Sequence, residues 1–194
     1  GLLRLKRNRI HTPERLQRGM ANLAEELRRR GYREASVTAA DVRHNPLSGA
    51  VAVVVDVREG PRFVVSSVIE EVRWEGGESS RETHTHWIDQ PYSRFWEQDF
   101  EHGIKTNFFR QGYPDVTVEY QRLRSKTNDL VVRVDLLAVV RPGPRIRVGD
   151  VVFSGYERTR PSVLESRVPI REGDWLDRIR AERGRYRLSR LGVF

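Results

Sequence analysis

Apolar positions change their period several times along the chain, and each change marks an element. Leu16, Met20, Leu23, Ala24 and Leu27 recur at helical spacing behind Thr12-Pro13-Glu14. Thr12 is an N-cap, Pro13 suits the first helical position, and Gly31 stops the helix. Ser36 to Val42 then alternates weakly, Asn45-Pro46-Leu47-Ser48-Gly49 turns the chain, and Ala50 to Val57 returns as an almost continuously apolar run. The pair predicts a β-hairpin. An apolar strand is expected between two neighbours and a half-polar one at an edge, so Ala50 to Val57 is placed inside a sheet and Ser36 to Val42 at its margin.

A strand follows over Arg62 to Arg73, then a turn at Glu75-Gly76-Gly77-Glu78 and a short helix and loop over Ser79 to Pro91. Ser93 caps a further helix on which Trp96, Phe100, Ile104 and Phe108 recur every four residues as far as Gly112. Val116-Thr117-Val118-Glu119-Tyr120 alternates strictly, Ser125 to Asp129 turns, and Leu130 to Val140 is strongly apolar. The predicted order is strand, helix, helix, strand, strand. Ile146 to Phe153 starts that order again, with a short helix from Arg160-Pro161-Ser162-Val163-Leu164, a connection over Val168 to Asp174, and a second helix carrying Trp175, Leu176, Ile179 and Tyr186. Gly1 to His11 has no clear period and predicts no element.

Landmarks recur in these stretches. Arg29-Arg30-Gly31-Tyr32 matches Arg110-Gln111-Gly112-Tyr113, Glu59-Gly60-Pro61-Arg62 matches Pro142-Gly143-Pro144-Arg145, and Trp74-Glu75-Gly76 matches Phe153-Ser154-Gly155. Three pairs in one order, roughly 80 residues apart, indicate an internal repeat. The expected units are residues 1–60, 61–142 and 143–194, joined by hinges at Gly60-Pro61 and Gly143-Pro144. By this alignment the first unit lacks its opening strand and helix and the third lacks its closing hairpin, so the chain reads as a piece of a longer array.

Composition narrows the function classes. The 194 residues are 38% hydrophobic, with no cysteine and a net charge of +8. Disulfide and thiolate chemistry are excluded. No apolar run reaches the roughly 20 residues of a membrane-crossing helix, and Gly1-Leu2-Leu3-Arg4 does not open a signal-peptide core, so a soluble piece is expected. The positive charge permits phosphate, nucleic acid, anionic lipid or acidic protein partners, and Arg28-Arg29-Arg30 is its longest run. A basic binding module for nucleic acid or anionic lipid is therefore one reading. His84 and His86 have no third ligand nearby and are expected in a solvated loop. Glu70-Glu71 and Glu97, Asp99 and Glu101 have no nucleophile beside them, and Gly76-Gly77 is a turn rather than a phosphate loop. The expectation is a protein that is not an enzyme, with no cofactor and no metal. Tyr92, Phe95 and Trp96 near Arg94 keep a core rhythm more than a stacking one, which weighs against nucleic acid.

The third unit resembles a POTRA (polypeptide-transport-associated) domain of the outer-membrane β-barrel assembly and translocation family. The resemblance is carried by Val151-Val152-Phe153-Ser154-Gly155, Arg160-Pro161-Ser162-Val163-Leu164, Ile170-Arg171-Glu172-Gly173-Asp174 and Leu188-Ser189-Arg190-Leu191-Gly192-Val193-Phe194. The middle unit departs from it, with Gln90-Pro91-Tyr92 where the third has Gly173-Asp174-Trp175. The resemblance implies an α+β fold of tandem β-α-α-β-β modules, each a three-stranded mixed sheet packed on two helices, with the last strand central and the second at an edge. It also implies a periplasmic arm ahead of a covalently linked C-terminal membrane β-barrel. The implied partners are unfolded outer-membrane or exported polypeptides, accessory lipoproteins and periplasmic chaperones. Binding would be by β-augmentation, an extended client pairing with an edge strand. The candidate edges are Val116 to Arg124, with Val116, Thr117, Val118, Glu119, Tyr120, Gln121 and Arg122 at its centre, and Val37 to Val42, beginning with Val37 and Thr38.

Overall fold

The computed structural model describes residues 11–128, 130–156 and 159–190. Their elements run α1 (Pro13–Arg29), β1 (Ser36–His44), β2 (Val51–Arg58), β3 (Arg62–Arg73), β4 (Ser79–Thr83), α2 (Arg94–Arg110), β5 (Thr117–Asn128), β6 (Val131–Arg141), α3 (Pro161–Glu165) and α4 (Arg178–Ser189). β1 and β2 form one sheet, and the other strands form a second in the order β4-β3-β6-β5. The chain is α+β, with the closing strand β6 inside its sheet and β5 at one end, as the resemblance implied.

α1, α2 and α4 begin where side chains satisfy their first amides, whereas α3 begins at Pro161 without a side-chain cap. Thr12 Oγ1 accepts from Arg15 N–H at 3.2 Å, and Ser93 Oγ accepts from Trp96 N–H at 3.2 Å. Asp177 accepts from Arg180 N–H at 3.0 Å, so α4 starts after Trp175 and Leu176, which belong to the approach to it. On α1, Ala24 is buried and Leu16, Met20 and Leu27 are half-buried, whereas Leu23 turns outward.

Two compact units can be distinguished. The first draws on Gly1–Ser66, Ile88–Glu97 and Arg124–Val134, and its buried side chains include Val64, Val65, Tyr92, Trp96 and Val134. The second draws on Ser67–Trp87, Gln98–Leu123 and Asp135–Phe194, and buries Val68, Val72, Phe100, Ile104, Phe108 and the unbroken run Leu136 to Val140. Successive strand residues point to opposite faces, so that unbroken run means β6 is covered on both faces. The four-residue rhythm of α2 is likewise a core stripe. Trp74 closes its end, its ring 6.1 Å from Phe108 and 5.5 Å from Tyr113.

Four expectations change. Ser79 to Pro91 holds no helix: Ser79–Thr83 is β4, paired antiparallel with β3 from Ile69↔Thr83 to Arg73↔Ser79, so this sheet has four strands. An open β3 edge offers main-chain partners that five polar residues can take, whereas they carry no apolar stripe for a helix to bury. β2 has one neighbour, β1, among the described residues, and its Val54 and Val57 are exposed. Ile146 to Phe153 forms no ladder there either. A strand needs another strand to take its main-chain groups, whereas those of Ile146 and Val148 are taken by Gly112, Gly173, Asp174 and Leu176, which leaves Arg147↔Trp175 as an isolated bridge. Finally, β5 runs on through Ser125 to Asn128, which shortens the expected turn.

Candidate functional site

β5 is twelve residues long, roughly 40 Å of strand, and lies at the end of its sheet. Val116 is buried just before it and anchors its start. Val118 and Tyr120 are half-buried, while Thr117, Glu119, Gln121 and Arg122 are exposed, and exposure is continuous from Gln121 to Asn128. This alternation gives the strand one inward face. Glu119 ties it to β6 through Arg141 at 2.8 Å, and the Tyr120 ring lies 6.3 Å from Phe100. The strand is therefore held from within its sheet, and main-chain groups alternate toward its open side.

Val37 and Thr38 sit in β1, paired with Val57 and Asp56 of β2. The register slips between Ala39 and Asp41. Such a bulge twists a strand and interrupts the regular spacing that an added strand needs. β1 is therefore the poorer of the two expected edges.

Gly60 and Gly143 have positive φ angles of 69° and 70° and lead into Pro61 and Pro144. Two residues beyond each proline the chain is tied back by the same clasp. Phe63 N–H donates to the Gly31 carbonyl and Ile146 N–H to the Gly112 carbonyl, both at 2.8 Å. Arg62 Nε reaches the Arg30 carbonyl at 3.3 Å, and Arg145 Nε the Gln111 carbonyl at 2.8 Å. The Phe63 carbonyl accepts from Tyr92 N–H, and the Ile146 carbonyl from Leu176 N–H, each at 2.9 Å. Arginines cover the aromatic residue in each: Arg33 lies 4.6 Å from the Tyr92 ring, and Arg145 and Arg147 lie 3.8 and 4.0 Å from that of Trp175. The glycines are required by space as well as by φ. A Cβ at Gly31 would stand 2.4 Å from the Phe63 carbonyl oxygen, and one at Gly112 would stand 2.9 Å from Trp175 Cβ.

The Arg28-Arg29-Arg30 run is engaged within the chain. Arg28 pairs with Glu25 and donates to the Ala35 carbonyl, both at 3.3 Å. Arg29 lies 4.2 Å over the Phe95 ring, and Arg30 holds Glu26 at 3.0 Å. The acids are similarly occupied: Glu97 accepts from the Tyr92 hydroxyl and pairs with Arg33 at 3.7 Å, and Glu101 holds Lys105 at 2.5 Å. His84 does not lie in a solvated loop. Its Nε2 is 2.8 Å from Glu70 and its ring packs edge-on against Phe100 at 5.4 Å. Among the described residues no group of three His, Asp or Glu side chains is placed to hold a metal ion, and no helix is long and apolar enough to cross a membrane.

Sequence reasoning missed β4, the His84 contacts and the clasps. Only the clasps left a signal there: an arginine follows the proline in both junctions, and a glycine precedes each at matching distance.

The family described as "POTRA: Surface antigen variable number repeat" matches residues 1–60 and 146–194, more than half of the chain. The crystal structure of Haemophilus influenzae BamA POTRA3-5 is similar at 23% identity and a TM-score of 0.52, over 92% of this chain and 70% of that one. BamA from Haemophilus ducreyi lacking POTRA domains 1-3 matches at 17% identity and a TM-score of 0.39, over 73% of this chain and 25% of that one. POTRA1-3 of the periplasmic domain of Omp85 from Anabaena matches at 15% identity and a TM-score of 0.33, over 94% and 72% of the two chains.

Proposed function

Because the chain belongs to the POTRA family, we propose that it is a periplasmic polypeptide-binding scaffold of an outer-membrane protein assembly or translocation factor. It acts without catalysis: an extended client pairs along β5, whose main-chain groups accept partners of many sequences. The observation that carries this reading is the position of β5, a twelve-residue strand at the end of a sheet whose buried member is β6. The clients are unfolded outer-membrane or exported polypeptides, accessory lipoproteins or periplasmic chaperones are its other partners, and a membrane β-barrel follows in the parent protein. Its modules are residues 1–60, 61–142 and 143–194, with the chain passing between them at Gly60-Pro61 and Gly143-Pro144.

Proline scanning over Thr117 to Gln121 tests the site. In a strand, alternate amides face opposite sides, so proline removes either an open-side donor or a donor into the sheet. At one alternate set, which includes Val118 and Tyr120 or else Glu119, titration with an unfolded outer-membrane β-barrel polypeptide should show weakened binding with the far-ultraviolet spectrum retained. Unchanged binding in every folded variant removes β5 as the site.

A further inference from the structure

The β3-β4 hairpin carries a surface that β5 does not explain. β4 closes the opposite end of the sheet, and all five of its residues are exposed. His84 N–H donates to the Val68 carbonyl and Trp74 N–H to the Glu78 carbonyl, both at 2.9 Å. With the register of Glu70↔Glu82 and Val72↔Ser80, these bonds fix the alternation. Ser80 and Glu82 turn their main-chain groups toward β3, and Ser79, Arg81 and Thr83 turn theirs outward. A strand added there would set the residue opposite Glu82 or His84 on the face that carries Glu70, because cross-strand neighbours share a face.

That face holds a pocket of about 220 Å³, lined in part by Glu70, His84, Trp87, Asp99, Phe100 and Gly103. The Trp87 and Phe100 rings meet edge-on at 5.8 Å and supply apolar walls. Among the described residues of its lining Glu70 and Asp99 are the carboxylates, His84 and His86 bring two imidazoles, and there is no lysine or arginine. Glu70 is engaged by His84 through one oxygen, and a carboxylate has acceptor positions for more than one donor.

Gly103 is the second sign. A glycine inside a helix costs about 1 kcal/mol relative to alanine, and close packing is a common compensation. In α4, Gly184 shows that compensation: a Cβ there would stand 3.2 Å from Val168 Cα and 3.4 Å from Pro169 Cδ. At Gly103 a Cβ would meet nothing within 4 Å. Gly19 in α1 is open in the same way, but Gly103 differs in lining the pocket, and among the described residues no atom comes within 4 Å of the position a Cβ would take there.

We infer that β4 and this pocket form a second docking site, at which an extended polypeptide pairs with Ser79, Arg81 and Thr83 and lays a lysine or arginine side chain over Trp87 and Phe100 toward Glu70 and Asp99. The aliphatic stem suits the ring walls and the cation suits both the rings and the two carboxylates. The site shares with the β5 reading only the class of ligand.

The test uses the whole 194-residue chain and a short host peptide of alternating valine and threonine with a central lysine, compared with its glutamate and glutamine versions. The lysine peptide should bind about tenfold tighter than the glutamate one and shift the Trp87 indole resonance. Thr83→Pro, which removes an outward donor, and Gly103→Leu, which fills the opening, should each abolish that preference. The shape-conserving pair Glu70→Gln with Asp99→Asn should equalise the three peptides without changing the fold. Equal affinity for the lysine and glutamate peptides, or a preference that survives Thr83→Pro and Gly103→Leu, overturns the site. Loss of all peptide binding in the β5 proline variants alone would leave the β5 reading standing and remove this one. Insensitivity to changes at both edges would remove both.

Discussion

Glu71 is a buried acid whose two oxygens are divided between Arg73 and Arg81, each at 2.5 Å. The hydrogen bond from Arg73 is the main cause that holds its carboxyl below the ordinary value of 4.5; burial opposes this, and Arg81 reinforces it. A carboxylate whose folded value is depressed stabilises the fold above its unfolded value, and that contribution fades as pH falls through the folded one. Glu71→Gln should therefore lower the melting temperature at pH 7, and the gap to the unaltered chain should narrow as pH drops below 4.5. Thermal denaturation across that range measures it. Glycine positions make a sharper contrast. With φ of 96° and a carbonyl oxygen in the way of any Cβ, Gly31→Ala should cost at least about 2 kcal/mol in urea unfolding. Gly76→Ala, where nothing lies within 4 Å, should stay within about 0.5 kcal/mol of the parent. Gly31 is legible in the sequence as the glycine that stops α1, but neither the carbonyl that crowds it nor the partners of Glu71 are visible at single positions. His84 reads as solvated there, and Glu71 as an acid with no chemistry beside it, because their partners depend on β4 pairing with β3.

At the scale of elements, what could be read in advance depended on how much of each element's fate was local. The stripe Trp96, Phe100, Ile104, Phe108 and the run Leu130 to Val140 state their burial in their own periods; the stripe is buried, and so are Val132, Val134 and Leu136 to Val140, whereas Leu130 at the start of the run is exposed. β4 does not: Ser79-Ser80-Arg81-Glu82-Thr83 has no apolar member, and its structure follows from the edge it completes. The same dependence leaves Ile146 to Phe153 without a ladder despite its apolar pattern. The edge position of β5 was legible, since its half-polar alternation contrasts with β6. The pocket beside β4 was not, because it is assembled from three stretches far apart in the chain. α2 is sensitive to side-chain truncation: Phe100 is 3% exposed and packs against His84, Trp87 and Tyr120. Phe100→Ala should cost about 3–5 kcal/mol in chemical unfolding, whereas Leu123→Ala on the exposed part of β5 should cost less than about 0.5 kcal/mol.

For the molecule as a whole, the junctions matter more than the net charge. The +8 balance suggested a basic face, but the arginines of its longest run are committed to Glu25, Glu26, Phe95 and the Ala35 carbonyl. The junctions were expected as hinges, and each Gly-Pro pair is followed within two residues by main-chain bonds to an earlier glycine. If those clasps hold in solution, the Phe63 and Ile146 amides should exchange with deuterium as slowly as the Val65 amide, which is also bonded. Exchange at the rate of an exposed loop would instead mean that the junctions open freely.

The clasp also bears on how such a chain can have been lengthened. Its central bonds run between main-chain groups, and the sequence need supply little more than a glycine, an arginine and an aromatic or proline neighbour to receive them. Side chains at the receiving position differ, Gln90-Pro91-Tyr92 in one copy and Asp174-Trp175-Leu176 in the other, one residue along from the pairing that the sequence predicts, without altering the joint. A duplicated segment therefore inherits a working connector along with its core, and copies can be gained or lost by recombination while each new boundary closes in the same way.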